Sequence, residues 1–194
     1  SELLIRWNSP ELGAVRPDEF IPIAEISSDI HDITKWVLEQ ACINLAEAKK
    51  YGQNTQIAIN VSARDIVRPV FEETIMNMLR RYNLRPQQLI LELTETALIQ
   101  DLSAVSEKLK ILSDYGLKIS IDDFGTGFSS LNLLQSLDFD LLKIDRTFVQ
   151  QMAVSSDAIV KATVLMARAL GCKTVAEGVE TESQAECLLS KGCI

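Results

Sequence analysis

Apolar, β-branched residues gather into short runs at ELLIRW (2–7), QIAINVS (56–62), LILELTE (89–95), LKISIDD (117–123), FDLLKID (139–145) and KTVAEGVE (173–180). Each of the last five runs leads into a stretch whose apolar residues recur at helical spacing, so the pattern predicts repeated strand–helix units. Ahead of them a helix is predicted around 32–50, with Ile33, Trp36, Val37, Cys42 and Leu45 on one stripe. Between 8 and 31, Pro10, Pro17 and Pro22 predict a long, mostly irregular connection. Strands alternating with helices at about 25–35 residues per unit imply parallel strands joined by right-handed crossovers. An α/β barrel and a doubly wound sheet both fit. No linker, low-complexity tract or second domain is visible, so we expect one domain over 1–194.

Composition narrows the chemistry. At 194 residues with 47% hydrophobic and 24% charged positions, the chain suits a globular domain with a sizeable core. The net charge of −8 argues against binding along a nucleic-acid backbone. Any bound phosphate must therefore be neutralised by something other than surface lysine. No apolar run approaches the roughly 18 residues needed to cross a bilayer, and no signal peptide is visible, so we expect a soluble, cytoplasmic domain without membrane contact. Cys42, Cys172, Cys187 and Cys193 include no CxxC pair, which favours buried free thiols over disulfides or zinc.

The polar residues of these runs fall at their C-terminal ends: Asn60 and Ser62, Glu92 and Glu95, Asp122 and Asp123, Lys143 and Asp145, Glu177 and Glu180. In a barrel such ends share the rim on which enzymes of that fold place their chemistry. Converging carboxylates repel one another unless a cation lies between them. Oxygen donors without clustered His or Cys favour Mg²⁺ or Mn²⁺ over zinc. Each element also has a plainer reading. DDFGTG (122–127) could be a turn, the acids could cap following helices, Lys143 could snorkel to the surface, and Arg6 could cover Trp7. His31, at a helix start, reads as a solvated residue rather than a catalyst. If the strand at 89–95 runs on regularly, Glu92 and Glu95 face opposite sides.

Taken together and in this order, ELLIRW, NVS, LELTET, DDFGTGFSSL, LLKIDRTFV and TVAEGVET resemble the EAL family of cyclic di-GMP phosphodiesterases. Glu2-Leu3-Leu4 stands where that family has Glu-Ala-Leu, which keeps the acidic residue. The resemblance implies a TIM-like (β/α)8 barrel that hydrolyses cyclic di-GMP to linear pGpG with two divalent cations. It implies Glu2, Asn60, Glu92 and Asp122 as ligands of one ion, and Asp122, Asp123 and Glu177 as ligands of the other. Lys143, with Glu177 and Glu180, would be catalytic, Arg6 and Leu4 would bind substrate, and Glu95 would brace the loop at 125–130. A homodimer fused to sensory or GGDEF-type domains, in a protein that could itself be membrane-anchored, is the matching context.

The family's opening strand and its closing Gln-Gly-Tyr segment have no counterpart. We therefore expect an excerpt of a longer protein with about six strands. Two further readings stay open, a non-catalytic cyclic di-GMP receptor and a Mg²⁺-dependent enolising barrel, the second because acids on successive strand ends plus a lysine also suit that chemistry.

Overall fold

The computed structural model describes residues 1–99, 102–125, 134–151 and 157–194, with Ile99 known by its backbone only. The chain divides into two compact units, Ser1–Glu92 with Asp114–Leu117, and Leu93–Ser113 with Lys118–Ile194.

In the first unit, β1 (Glu2–Leu3), β4 (Ile57–Asn60) and β5 (Leu89–Thr94, which continues into the second unit) lie side by side in parallel. The register pairs Glu2 with Ala58 and Asn60 with Glu92. Ile57, Ala58 and Ile59 are all buried, as expected of a parallel strand covered on both faces. Helix α2 (Ile30–Lys50) covers β4 and packs against α4 (Phe71–Arg81). Its buried stripe is Ile30, Thr34, Val37, Leu38, Ala41, Cys42 and Leu45. The expected stripe is corrected at Ile33, only partly buried, and at Trp36, 54% exposed, because the core-facing positions run through Thr34 and Leu38 instead.

The connection at 8–31 is also corrected. Trp7–Ser9 (β2) and Gly13–Val15 (β3) form an antiparallel hairpin, and Pro17–Ser27 is a helix, α1. Pro17 occupies the first turn, where its missing N–H costs nothing. Pro22 lies inside α1 and removes a helical hydrogen bond. Apolar packing offsets that cost: Phe20 and Ala24 are buried, and Trp7 meets Phe20 edge-on at 5.5 Å.

In the second unit β6 (Lys118–Phe124), β7 (Leu141–Ile144) and β8 (Lys173–Ala176) are parallel in that order. Helices α5 (Glu95–Ile99), α6 (Leu102–Asp114), α7 (Arg146–Gln150), α8 (Asp157–Leu170) and α9 (Glu182–Lys191) connect or follow them, while α3 (Ala63–Ile66) belongs to the first unit. Ile144, Val149, Val160, Val164, Leu188 and Cys193 form one buried cluster. Each such aliphatic side chain contributes about 1.5–3 kcal/mol by leaving water.

The strands are shorter than their apolar runs. β5 stops at Thr94, so Glu95 opens a helix and the regular alternation that would set it opposite Glu92 does not extend to it. No helix among the described residues is long and apolar enough to cross a membrane. All four cysteines are free, but Cys187 is only partly buried, a correction to the expectation of four buried thiols.

Candidate active site at the strand ends

At the end of β4 in the first unit, the exposed Asn60 amide donates to Glu2 Oε1 at 2.7 Å. Glu92 sits opposite Asn60 and is 4% exposed. Its main-chain carbonyl accepts from the Val61 N–H at 2.9 Å, which locks the two strand ends together. Arg6 is exposed and donates to the Ile5 carbonyl at 2.8 Å, while Leu4 is 55% exposed. The cation–π contact among the described residues is Arg81 over Tyr82, so Arg6 does not cover Trp7.

The second unit explains the adjacent aspartates. Between Ile121 and Phe124 β6 carries one residue more than β7, a β-bulge that spans Asp122 and Asp123. Asp123 adopts φ +54°, a left-handed conformation that Asp tolerates better than most residues. In a regular strand these neighbours would point to opposite faces, and a bulge re-aims one of them. The Asp123 N–H donates to Asp122 Oδ1 at 2.8 Å, so the pair is also braced internally.

Lys143, 5% exposed in β7, places its ammonium 2.9 Å from Asp122 Oδ2 and 2.6 Å from Glu177 Oε1. It is therefore not a snorkelling surface residue. Glu177 follows β8 directly, and its N–H donates to the Ile144 carbonyl at 3.0 Å. Burial, together with the negative charges of Asp122, Asp145 and Glu177, pushes the Asp123 carboxyl above the usual range, against a smaller opposing effect of Lys143.

Other strand-end residues have different tasks. Asp145 caps α7, accepting from the Thr147 N–H at 3.0 Å, and Ser62 caps α3. For these two the capping explanation holds. Glu180 accepts from Gln150 Nε2 at 3.2 Å in an exposed setting. Glu95, 1% exposed, accepts from the Gly125 N–H at 2.8 Å. Gly125 has φ +94°, and a Cβ there would come within 2.9 Å of Phe148, so glycine is required. The remainder of the expected loop, 126–130, lies outside the described residues.

Among the described residues no three His, Cys, Asp or Glu side chains already form a metal-binding group. In the second unit Lys143 occupies the space between two of the carboxylates, and in the first unit one donor is an amide. His31 is corrected: its Nδ1 lies 2.6 Å from Asp65, which Thr34 also contacts at 2.7 Å. Sequence reasoning missed Asp65, because 34 residues separate it from His31 and no local pattern links them.

A family model for the EAL domain matches residues 1–194. The bifunctional diguanylate cyclase/cyclic di-GMP phosphodiesterase MucR of Pseudomonas aeruginosa is 44% identical over 99% of this chain, which spans 28% of that protein. A cyclic di-GMP phosphodiesterase of the same organism is 37% identical over 99% of the chain and 33% of its own length. The solved phosphodiesterase PaMucR in complex with c-di-GMP superposes with a TM-score of 0.91, covering 99% of this chain and 79% of that one. The parallel strands of the described residues thus belong to the TIM-like α/β barrel class of these structures, not to a doubly wound sheet. With its family model matched from first residue to last, this chain belongs to the EAL-domain family.

Proposed function

We propose that this chain is the catalytic domain of a cyclic di-GMP phosphodiesterase that opens the cyclic dinucleotide to linear pGpG with two divalent cations, Mg²⁺ or Mn²⁺. The observation that carries the reading is the buried Lys143 ammonium, held between Asp122 and Glu177 beside the bulged Asp123, in a chain matched throughout by the EAL family. Relatives named as cyclic di-GMP phosphodiesterases support it.

The donor set fits the ions. Its atoms are carboxylate and amide oxygens, and burial together with the repulsion of neighbouring carboxylates raises Asp123, a strain on its charged form that a hard divalent cation relieves. Glu2, Asn60, Glu92 and Asp122 would hold one ion, and Asp122, Asp123 and Glu177 the other. When bound, the cations supply charge neutralisation at the phosphodiester and acidify a water.

The protein's own residues do the rest. Lys143, gripped by two carboxylates, keeps its ammonium fixed where it can orient the attacking water and offset developing negative charge. Glu177 anchors that lysine, and Glu180 takes part from the turn after β8. Arg6, which donates to a neighbouring carbonyl, can turn its guanidinium fork to a substrate phosphate, with Leu4 offering apolar surface beside it. Glu95 holds Gly125, and through it the chain after the aspartate pair. On this reading the domain works in the cytoplasm as a homodimer fused to sensory or GGDEF-type domains.

The test is incubation of the protein with cyclic di-GMP and Mg²⁺ or Mn²⁺, with chromatography of the products. We expect pGpG, and an Asp122→Asn rate below about one tenth of wild type, because one lost charge weakens two ion sites. Tight binding without pGpG would replace hydrolysis by a receptor role.

A further inference from the structure

In the first unit, three successive residues at the end of β4 are each tied to a different element. The Asn60 amide donates to Glu2 of β1, the Val61 N–H to the Glu92 carbonyl of β5, and the Ser62 hydroxyl to Glu25 Oε1 of α1 at 2.7 Å. The first two ties involve residues assigned to an ion, whereas the third has no part in the strand-end chemistry above. Glu25 is partly buried, and its main-chain carbonyl also accepts from Arg64 Nη1 at 2.7 Å, so one residue of α1 grips both Ser62 and Arg64. A hydroxyl has one proton and two lone pairs. Ser62 gives the proton to Glu25, and its oxygen accepts from the Arg64 N–H at 3.4 Å as the cap of α3. Asn60 is exposed at the last position of β4, so the course of the chain through 61 and 62 sets where its amide points.

We propose that Glu25 is a positioning residue for the ion assigned to Glu2, Asn60 and Glu92, an inference that rests on the two-cation reading above. By holding Ser62 it fixes the turn after β4, and with it the direction of the Asn60 amide toward Glu2. It plays for β4 the part that Glu95 plays for β6, where an acid from another element grips the Gly125 N–H just past the aspartate pair. Polar partners that orient a metal ligand account for about 10–100-fold in affinity. Glu25 acts through Ser62, so what it supplies is a hydrogen-bond acceptor rather than a charge on the ion.

Mn²⁺ binding to the native chain without substrate, followed by the electron paramagnetic resonance of the free ion, tests this. Glu25→Ala should weaken one class of Mn²⁺ site by about fivefold to tenfold, and Glu25→Gln, which keeps an oxygen acceptor for Ser62, should stay within about twofold of wild type. Ser62→Ala should weaken that site at least as much as Glu25→Ala, and adding Glu25→Ala to it should cost nothing more, because the two remove the same bond. Circular dichroism shows that each variant is folded at the temperature of measurement. Wild-type Mn²⁺ affinity in folded Glu25→Ala would overturn the proposal. So would a Glu25→Gln protein as weak as Glu25→Ala, since Glu25 would then act by its charge and not through Ser62. Product chromatography on the wild type keeps the two readings apart: Mn²⁺ binding without pGpG sinks the phosphodiesterase reading, whereas the ratio of Mn²⁺ affinities decides the role of Glu25.

Discussion

Glu92 and Glu95 sit three positions apart and are both buried, yet their partners differ. Glu92 belongs to β5 opposite Asn60, whereas Glu95 opens α5 and grips the Gly125 N–H. Glu92→Ala should therefore abolish turnover at any metal concentration. Glu95→Ala should raise the Mg²⁺ requirement or KM and recover part of its turnover at high Mg²⁺. Titrations of rate against Mg²⁺, with folding followed by circular dichroism, check this, and equal metal-insensitive losses would refute the division. Asp123 carries a separate expectation. Its raised folded-state pKa means that its contribution to stability is complete below the unfolded value and is lost as pH rises through the folded one. Charged at neutral pH, it costs the metal-free fold. Asp123→Asn keeps the left-handed backbone accessible and should raise the metal-free Tm by about 1–3 °C at pH 7. That gain should vanish below about pH 3, and Mg²⁺ should stabilise the variant less than wild type in calorimetry.

At the scale of elements, the β6 bulge and the turn after it act as one device. The bulge re-aims an aspartate, and Gly125 lets the chain leave at φ +94° while packing on Phe148 of α7. Gly125→Ala should cost about 1–3 kcal/mol from backbone strain and crowding, measured by denaturant unfolding. Adding Phe148→Leu should recover only the crowding part, because the backbone strain remains. A Gly125→Ala protein of wild-type stability would show that the turn is not constrained as described.

For the whole molecule, the proposed function sets a chain of net charge −8 to act on an anionic dinucleotide. On that reading long-range attraction does not bring substrate in, and the proposed divalent ions carry the affinity. Removing them with EDTA should abolish turnover, and Mg²⁺ or Mn²⁺ should restore it. Ca²⁺, with its larger radius and looser coordination, should restore under about a tenth of the Mg²⁺ rate. Comparable rates in Ca²⁺ and Mg²⁺, read by product chromatography, would argue against two-metal chemistry.

From sequence alone, the alternating strand–helix order was legible, because the apolar periods of 2 and 3.6 follow from backbone geometry. So was the placing of polar residues at strand ends, since a buried strand rejects them elsewhere. Lys143 between apolar neighbours and the acids after each run could be read in the same way. Other features depended on tertiary packing. The hairpin at 7–15 and α1 formed despite three prolines, with Phe20 buried and Trp7 set edge-on against it. The bulge at Asp122–Asp123 exists only through register with β7, and His31 meets Asp65 only because the chain folds back after 34 residues. Which strand-end acid caps a helix, as Asp145 does, and which grips Lys143, as Asp122 and Glu177 do, is likewise a matter of register and burial. One-dimensional pattern encodes which face a residue takes, but distances between side chains far apart in sequence are set only when the strands align.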